Sequence, residues 1–178
     1  MPARYAVNTA KALETIVWFA NQRPGIDIYH VVKCAFYADK YHLNNYGRPV
    51  AGDNYIADTY GPLGKTVYGL LRGDPFEILA LGSNGDLPFD VIGRYQIKPR
   101  REANLRRLSH SDVESLQYAI DTYADKSFDE LFIESHNDPA YIAANGGAMR
   151  YEDLLALDDP QRREKVRYLE EVASSAVL

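Results

Sequence analysis

The chain has a single cysteine, Cys34, among its 178 residues. An internal disulfide and a cysteine-clustered zinc site are therefore excluded. No apolar run approaches the roughly 20 residues that span a bilayer. The N-terminus lacks a basic start followed by an apolar stretch and a small-residue cleavage site. Together these absences favour the cytoplasm and leave no expected membrane partner. Positive charge is also short, with 20 Lys and Arg against 25 Asp and Glu, a net charge of −5. Proteins that live on nucleic-acid phosphates draw most of their affinity from a positive field, so nucleic acid is not the expected partner. The sequence has no internal repeat, no low-complexity tract and no linker long enough to divide it.

What is present reads as one ordinary globular domain. The apolar share is 46% and the charged share 25%, and the length suits a single core. Tyrosine is the unusual count, 14 against 6 Phe and 1 Trp. Its apolar ring and polar tip suit half-buried and interfacial positions.

Asn8 is a good N-cap for a helix running to about Gln22, with Leu13, Ile16, Val17 and Ala20 on one face. Pro24 and Gly25 end it. Asp27 caps a second helix from Ile28 to about Tyr46, stopped by Gly47. Residues 49–62 read as extended and turn-rich, with Tyr55-Ile56-Ala57 a short strand, and Pro62 to Leu71 as a short helix. Phe76 to Leu81 and Val91 to Ile97 read as strands of a small antiparallel sheet, joined through the turn-forming Gly82-Ser83-Asn84-Gly85. Beyond them, Ser109 with Asp112 and Ser127 with Glu130 form capping boxes, and Asp138-Pro139 and Asp159-Pro160 set a cap before a first-turn proline. Helices follow near 110–125, 128–135, 139–144 and 160–174. The expected fold is α+β: a mainly helical single domain over 1–178, its core in roughly 8–157, with a small antiparallel sheet and a C-terminal helix.

The stretch from Phe36 to Pro62 reads FYADKYHLNNYGRPVAGDNYIADTYGP. Its Tyr37-Ala38-Asp39, His42-Leu43, Gly47-Arg48-Pro49, Asp53 and Tyr60-Gly61-Pro62 resemble the Panacea-domain family of SocA-like antitoxins and phage GepA-like proteins. Leu108-Ser109, Ser127 to Leu131, Ser135-His136 and Asp138-Pro139 extend the resemblance, which covers roughly residues 8–157. Ala140-Tyr141 departs from it, since Trp often follows that proline in the family. The resemblance implies a bacterial or phage antitoxin that neutralises a cognate protein toxin by direct binding. For SocA-like members it implies a second route, delivery of the toxin to a cytoplasmic protease.

The residues themselves support two kinds of role. Ile28, Val32, Phe36 and Leu43 share one face of the second helix, and Asp39 falls among them. A carboxylate there must be paired, and backbone N–H groups of segment 50–62 are the expected donors, with His42 as a second polar anchor. Asp53, Gly61, Pro62 and His136 complete the motif expected to serve structure. The opposite face carries His30, Cys34, Tyr37 and Tyr41, and is either sandwiched in the core or offered to a partner. Tyr37, Tyr41 and Tyr60 are the aromatic candidates for partner binding.

A short basic stretch runs from Arg94 to Arg107, with Glu102 its only acid. It is a solvated loop or a landing site for an acidic partner, with Arg94, Arg100 and Arg101 as candidates. No helix-turn-helix accompanies it.

Enzymatic readings have less support. Asp39, His42, Asp53 and His136 include metal-ligating types, yet no HExxH is present and no metal or other cofactor is expected. No GxSxG elbow supports a hydrolase. Gly61-Pro62-Leu63-Gly64-Lys65-Thr66 ends like a phosphate loop but contains a proline and lacks the loop's first glycine in frame. The expectation is a binding protein rather than an enzyme, with the neighbouring open reading frame as the natural place to seek its toxin. A handover adaptor, for which the apolar tail Ala173 to Leu178 would be a handle, and a metal-dependent enzyme stand as alternatives. The oligomeric state stays open.

Overall fold

The computed structural model describes residues 2–82 and 84–178. Helix α1 (Thr9–Gln22) starts where the Asn8 side chain accepts the Lys11 N–H. Helix α2 (Ile28–Tyr46) starts where Asp27 accepts the His30 N–H, and closes on Gly47 in the left-handed region at φ 75°. Strands β1 (Tyr55–Asp58) and β2 (Gly61–Gly64) form a tight antiparallel hairpin. Helices α3 (Lys65–Arg72) and α4 (Pro75–Ala80) follow. A second hairpin, β3 (Phe89–Ile92) with β4 (Gln96–Pro99), precedes the helical half. That half holds α5 (His110–Tyr123), α6 (Phe128–His136), α7 (Pro139–Ala144) and α8 (Arg162–Val172). The fold is α+β and mainly helical. No helix among the described residues is long and apolar enough to cross a membrane.

Four sequence expectations are corrected. Phe76–Leu81 is not a strand, because Asp74 accepts the Phe76 N–H and Pro75 takes the first turn of helix α4. The turn of the second hairpin is therefore at Gly93–Tyr95 rather than at Gly82–Gly85, of which Ser83 lies outside the described residues. The helix expected from Pro62 starts at Lys65, since Pro62 and Leu63 pair with Ala57 and Ile56. Helix α8 begins at Arg162 rather than at 160, although Asp159 still accepts the Gln161 N–H at 2.8 Å. The antiparallel β-structure is divided between two separate hairpins.

Helix α2 is the centre of the core. It is buried from Val31 to Asp39 and packs most extensively on α5, with α1, α3, β2 and α6 around it. Both of its apolar faces are covered, which explains why its sequence is apolar all round. Each hairpin is fastened to other backbone as well as to itself. The Ala57 N–H donates to Gly147 and the Met149 N–H to Tyr55, so residues 147–149 run along β1. The Ile28 N–H donates to Tyr95 and the Ile97 N–H to Ile26, which fixes the second hairpin beside the start of α2.

Candidate interaction surface

The motif residues are spent on internal contacts. Asp39 is buried, and its carboxylate accepts the Val50 N–H at 2.8 Å, the Ala51 N–H at 3.2 Å and the Tyr55 hydroxyl at 2.9 Å. Burial pushes its pKa up, and those donors only partly offset that. His42 Nδ1 donates to the Arg48 carbonyl at 2.6 Å, leaving Nε2 to accept from the Ser111 hydroxyl at 3.0 Å. Desolvation lowers its pKa, so it sits in the core as a neutral ring.

Asp53 accepts the Thr66 and Val67 N–H groups, each at 2.9 Å, at the start of α3, where Gly64 provides no side-chain cap. Burial raises its pKa to about 6. The carboxylate takes the place a phosphate would need, so the phosphate-loop lookalike already holds an anion of its own. Gly61 has φ 97°, and a Cβ there would lie 2.5 Å from the Ser135 hydroxyl. Pro62 offers its carbonyl to Lys33 Nζ at 2.8 Å. His136 points its ring nitrogens at the Phe132 and Thr59 carbonyls, at 2.8 and 3.1 Å. Tyr141 donates its hydroxyl to the Asp58 carbonyl at 2.9 Å. Asp39, His42, Asp53 and His136 thus do not converge, and no group of three or more metal-ligating side chains occurs among the described residues.

The six residues singled out for partner binding fall in different places. Tyr37 is core: it is 5% exposed and its ring stacks on Tyr123. Tyr41 is half-buried, stacked on Tyr118 with centroids 4.1 Å apart. Arg101 is a staple rather than a free charge, because both its terminal nitrogens bind the buried Glu14 carboxylate, at 2.7 and 2.9 Å. Arg100 is held on the surface by Asp86 and Asp90. Arg94 is exposed at the turn of the second hairpin and makes no ion pair among the described residues. Tyr60 is 57% exposed at the tip of the first hairpin.

Tyr60 belongs to a feature that sequence reasoning missed. A groove of about 460 Å³ lies between the start of α2, the two hairpins, α3 and the start of α6. Tyr29, Tyr60, Tyr68, Tyr95 and Phe128 line it. Four of these rings are substantially exposed: Tyr60, Tyr68, Tyr95 and Phe128. The advance signals were the tyrosine count and the candidacy of Tyr60 itself; the groove was not foreseen, because the five rings are spread over 100 positions of sequence and meet only in the fold. Lys33 also lines the groove. It is 1% exposed, its Nζ lies 4.9 Å from the centre of the Tyr29 ring, and burial pulls its pKa down to about 7.

The motif side chains thus tie α2 to the segment after it, in a mainly helical α+β fold that leaves an aromatic groove open. A family model for the SocA-like antitoxins, the Panacea domain, matches residues 31–141, from α2 through the first turn of α7, and the chain belongs to that family. No curated protein and no solved structure matches it.

Proposed function

We infer that this antitoxin-family protein neutralises a cognate protein toxin by direct binding in the cytoplasm, acting as an occluding partner rather than as a catalyst. The observation that carries this reading is the family match over the whole motif-bearing region. The surface is compatible with it, since interface energy concentrates in a few aromatic and arginine anchors and this chain clusters exposed tyrosines around one groove.

The test is to express the product of the neighbouring open reading frame alone and with this protein. Rescue of growth with the toxin accumulating in a co-purifying complex supports the reading. Rescue with loss of the toxin points to proteolytic delivery instead, and absence of both rescue and complex overturns it.

A further inference from the structure

We propose that the aromatic groove receives an acidic side chain of the toxin, presented between apolar neighbours, with Lys33 as its counter-charge. This rests on the binding reading above and adds where contact is made and by what chemistry.

Lys33 is an unusual floor for an apolar groove. Its ammonium donates to the Pro62 carbonyl and faces the Tyr29 ring, yet no carboxylate lies within ion-pair distance of it among the described residues. Burial draws the Lys33 pKa down to about 7 against the opposing pull of the Asp58 charge, so the amine is only partly protonated near neutral pH. An incoming carboxylate favours the charged form and gains a desolvated ion pair. Arg72, on α3, lines the same groove and makes no ion pair among the described residues, so it supplies a second positive charge. The rings of Tyr68, Tyr95 and Phe128 give apolar area for the residues flanking the acid.

Two acids line the groove as well. Asp27 is already engaged, with both carboxylate oxygens 2.9 Å from His30 Nδ1. Asp58 has no side-chain hydrogen bond or ion pair among the described residues; its charge favours the protonated form of Lys33 and opposes an acidic visitor. That opposition gives the proposal its sharpest test, because an acidic and a basic visitor respond to Lys33 and Asp58 in opposite ways.

Binding of the neighbour-encoded toxin is measured by calorimetry for the parent and for Lys33→Met, Arg72→Met and Asp58→Asn, each checked for folding by its melting temperature. Truncating one side of a desolvated pair should weaken the Lys33→Met complex at least about tenfold, and Arg72→Met less. Asp58→Asn should tighten binding severalfold. The reverse pattern, with Lys33→Met tighter and Asp58→Asn weaker, assigns the groove to a basic side chain and overturns the proposal. Binding within about twofold of the parent for all three removes the groove from the interface while the antitoxin reading stands. If Lys33→Met does not fold, the opposite signs expected of Arg72→Met and Asp58→Asn decide alone. A parent protein that forms no complex overturns the functional reading, and this proposal with it.

Discussion

The ring of Tyr37 lies face to face with that of Tyr123, their centroids 3.8 Å apart and their planes 6° from parallel. This pair joins α2 to α5 and takes the most motif-like tyrosine out of the surface. Tyr37→Ala should therefore cost about 3–5 kcal/mol of stability, as removal of a buried aromatic ring does. The hydroxyl is different, since Tyr37 Oη is buried with no hydrogen-bond partner. Tyr37→Phe should be as stable as the parent or more so, because it removes an unsatisfied polar atom at constant shape. Thermal melts of the two variants check both halves; a Phe variant that loses stability would mean the hydroxyl has a partner after all.

Asp39 separates charge from geometry. Asp39→Ala leaves the Val50 and Ala51 N–H groups unpaired in the core, at about 1–3 kcal/mol for each orphaned group. Asp39→Asn keeps an oxygen for those donors, and its amide can donate to the Tyr55 hydroxyl oxygen, which has the Ala35 carbonyl 3.4 Å away as an alternative acceptor. The Asn variant should stay near parental stability and keep binding. Denaturant midpoints for the two variants would show it, and equal losses would mean that the negative charge itself is required.

Asp112 makes the opposite prediction. It is fully buried, with Lys11 at 2.6 Å, Arg48 at 3.0 Å and His42 at 3.3 Å. Burial alone would raise its pKa, but the Lys11 hydrogen bond, the Ser109 N–H and the two cations hold it below the usual carboxylate range. Its stabilisation is thus present above the ordinary carboxylate pKa and is lost as pH falls through the depressed value. Asp112→Asn should cost about 3–5 kcal/mol at neutral pH by leaving buried Lys11 without its counter-ion. Parent and variant should converge in acid, which an unfolding series between about pH 2.5 and pH 7 reads directly.

His30 titrates the other way. Its Nδ1 meets Asp27 and its Nε2 meets the Lys126 carbonyl at 2.8 Å, and the Asp27 bond raises its pKa against the pull of burial. The stabilisation is complete below the ordinary histidine value and is lost as pH rises through the raised one. The margin by which the parent exceeds His30→Gln should be largest near about pH 6 and shrink toward about pH 8.5. A margin constant across that range would show that His30 does not carry a proton between Asp27 and Lys126.

Much of the helical frame was legible because caps are local. Asn8, Asp27, Ser109, Ser127 and Asp138 all accept the N–H groups their spacing indicates. The same signal stands at Asp74-Pro75, where the cap is a better guide than the apolar Phe76, Ile78 and Leu79, which point to a strand. The structural role of Asp39 followed from its position in an apolar stripe. Tyr37 and Arg101 were not separable from surface residues by sequence, because Tyr123 and Glu14, their partners, lie 86 and 87 positions away. The groove was illegible for the same reason, and Lys33 looked like any helix lysine until the hairpins closed over it.

Asp53 ties helix α3 to the first hairpin. It caps α3 from 13 and 14 residues upstream, through the Thr66 and Val67 N–H groups. A helix of eight residues is too short to persist alone in water, and this one has no cap of its own. The cap exists only where the first hairpin brings Asp53 beside Thr66 and Val67, so closure of the turn at Thr59-Tyr60 and the holding of α3 are coupled. A peptide spanning residues 65–72 would be a coil, and the information that makes it a helix resides in a residue outside it.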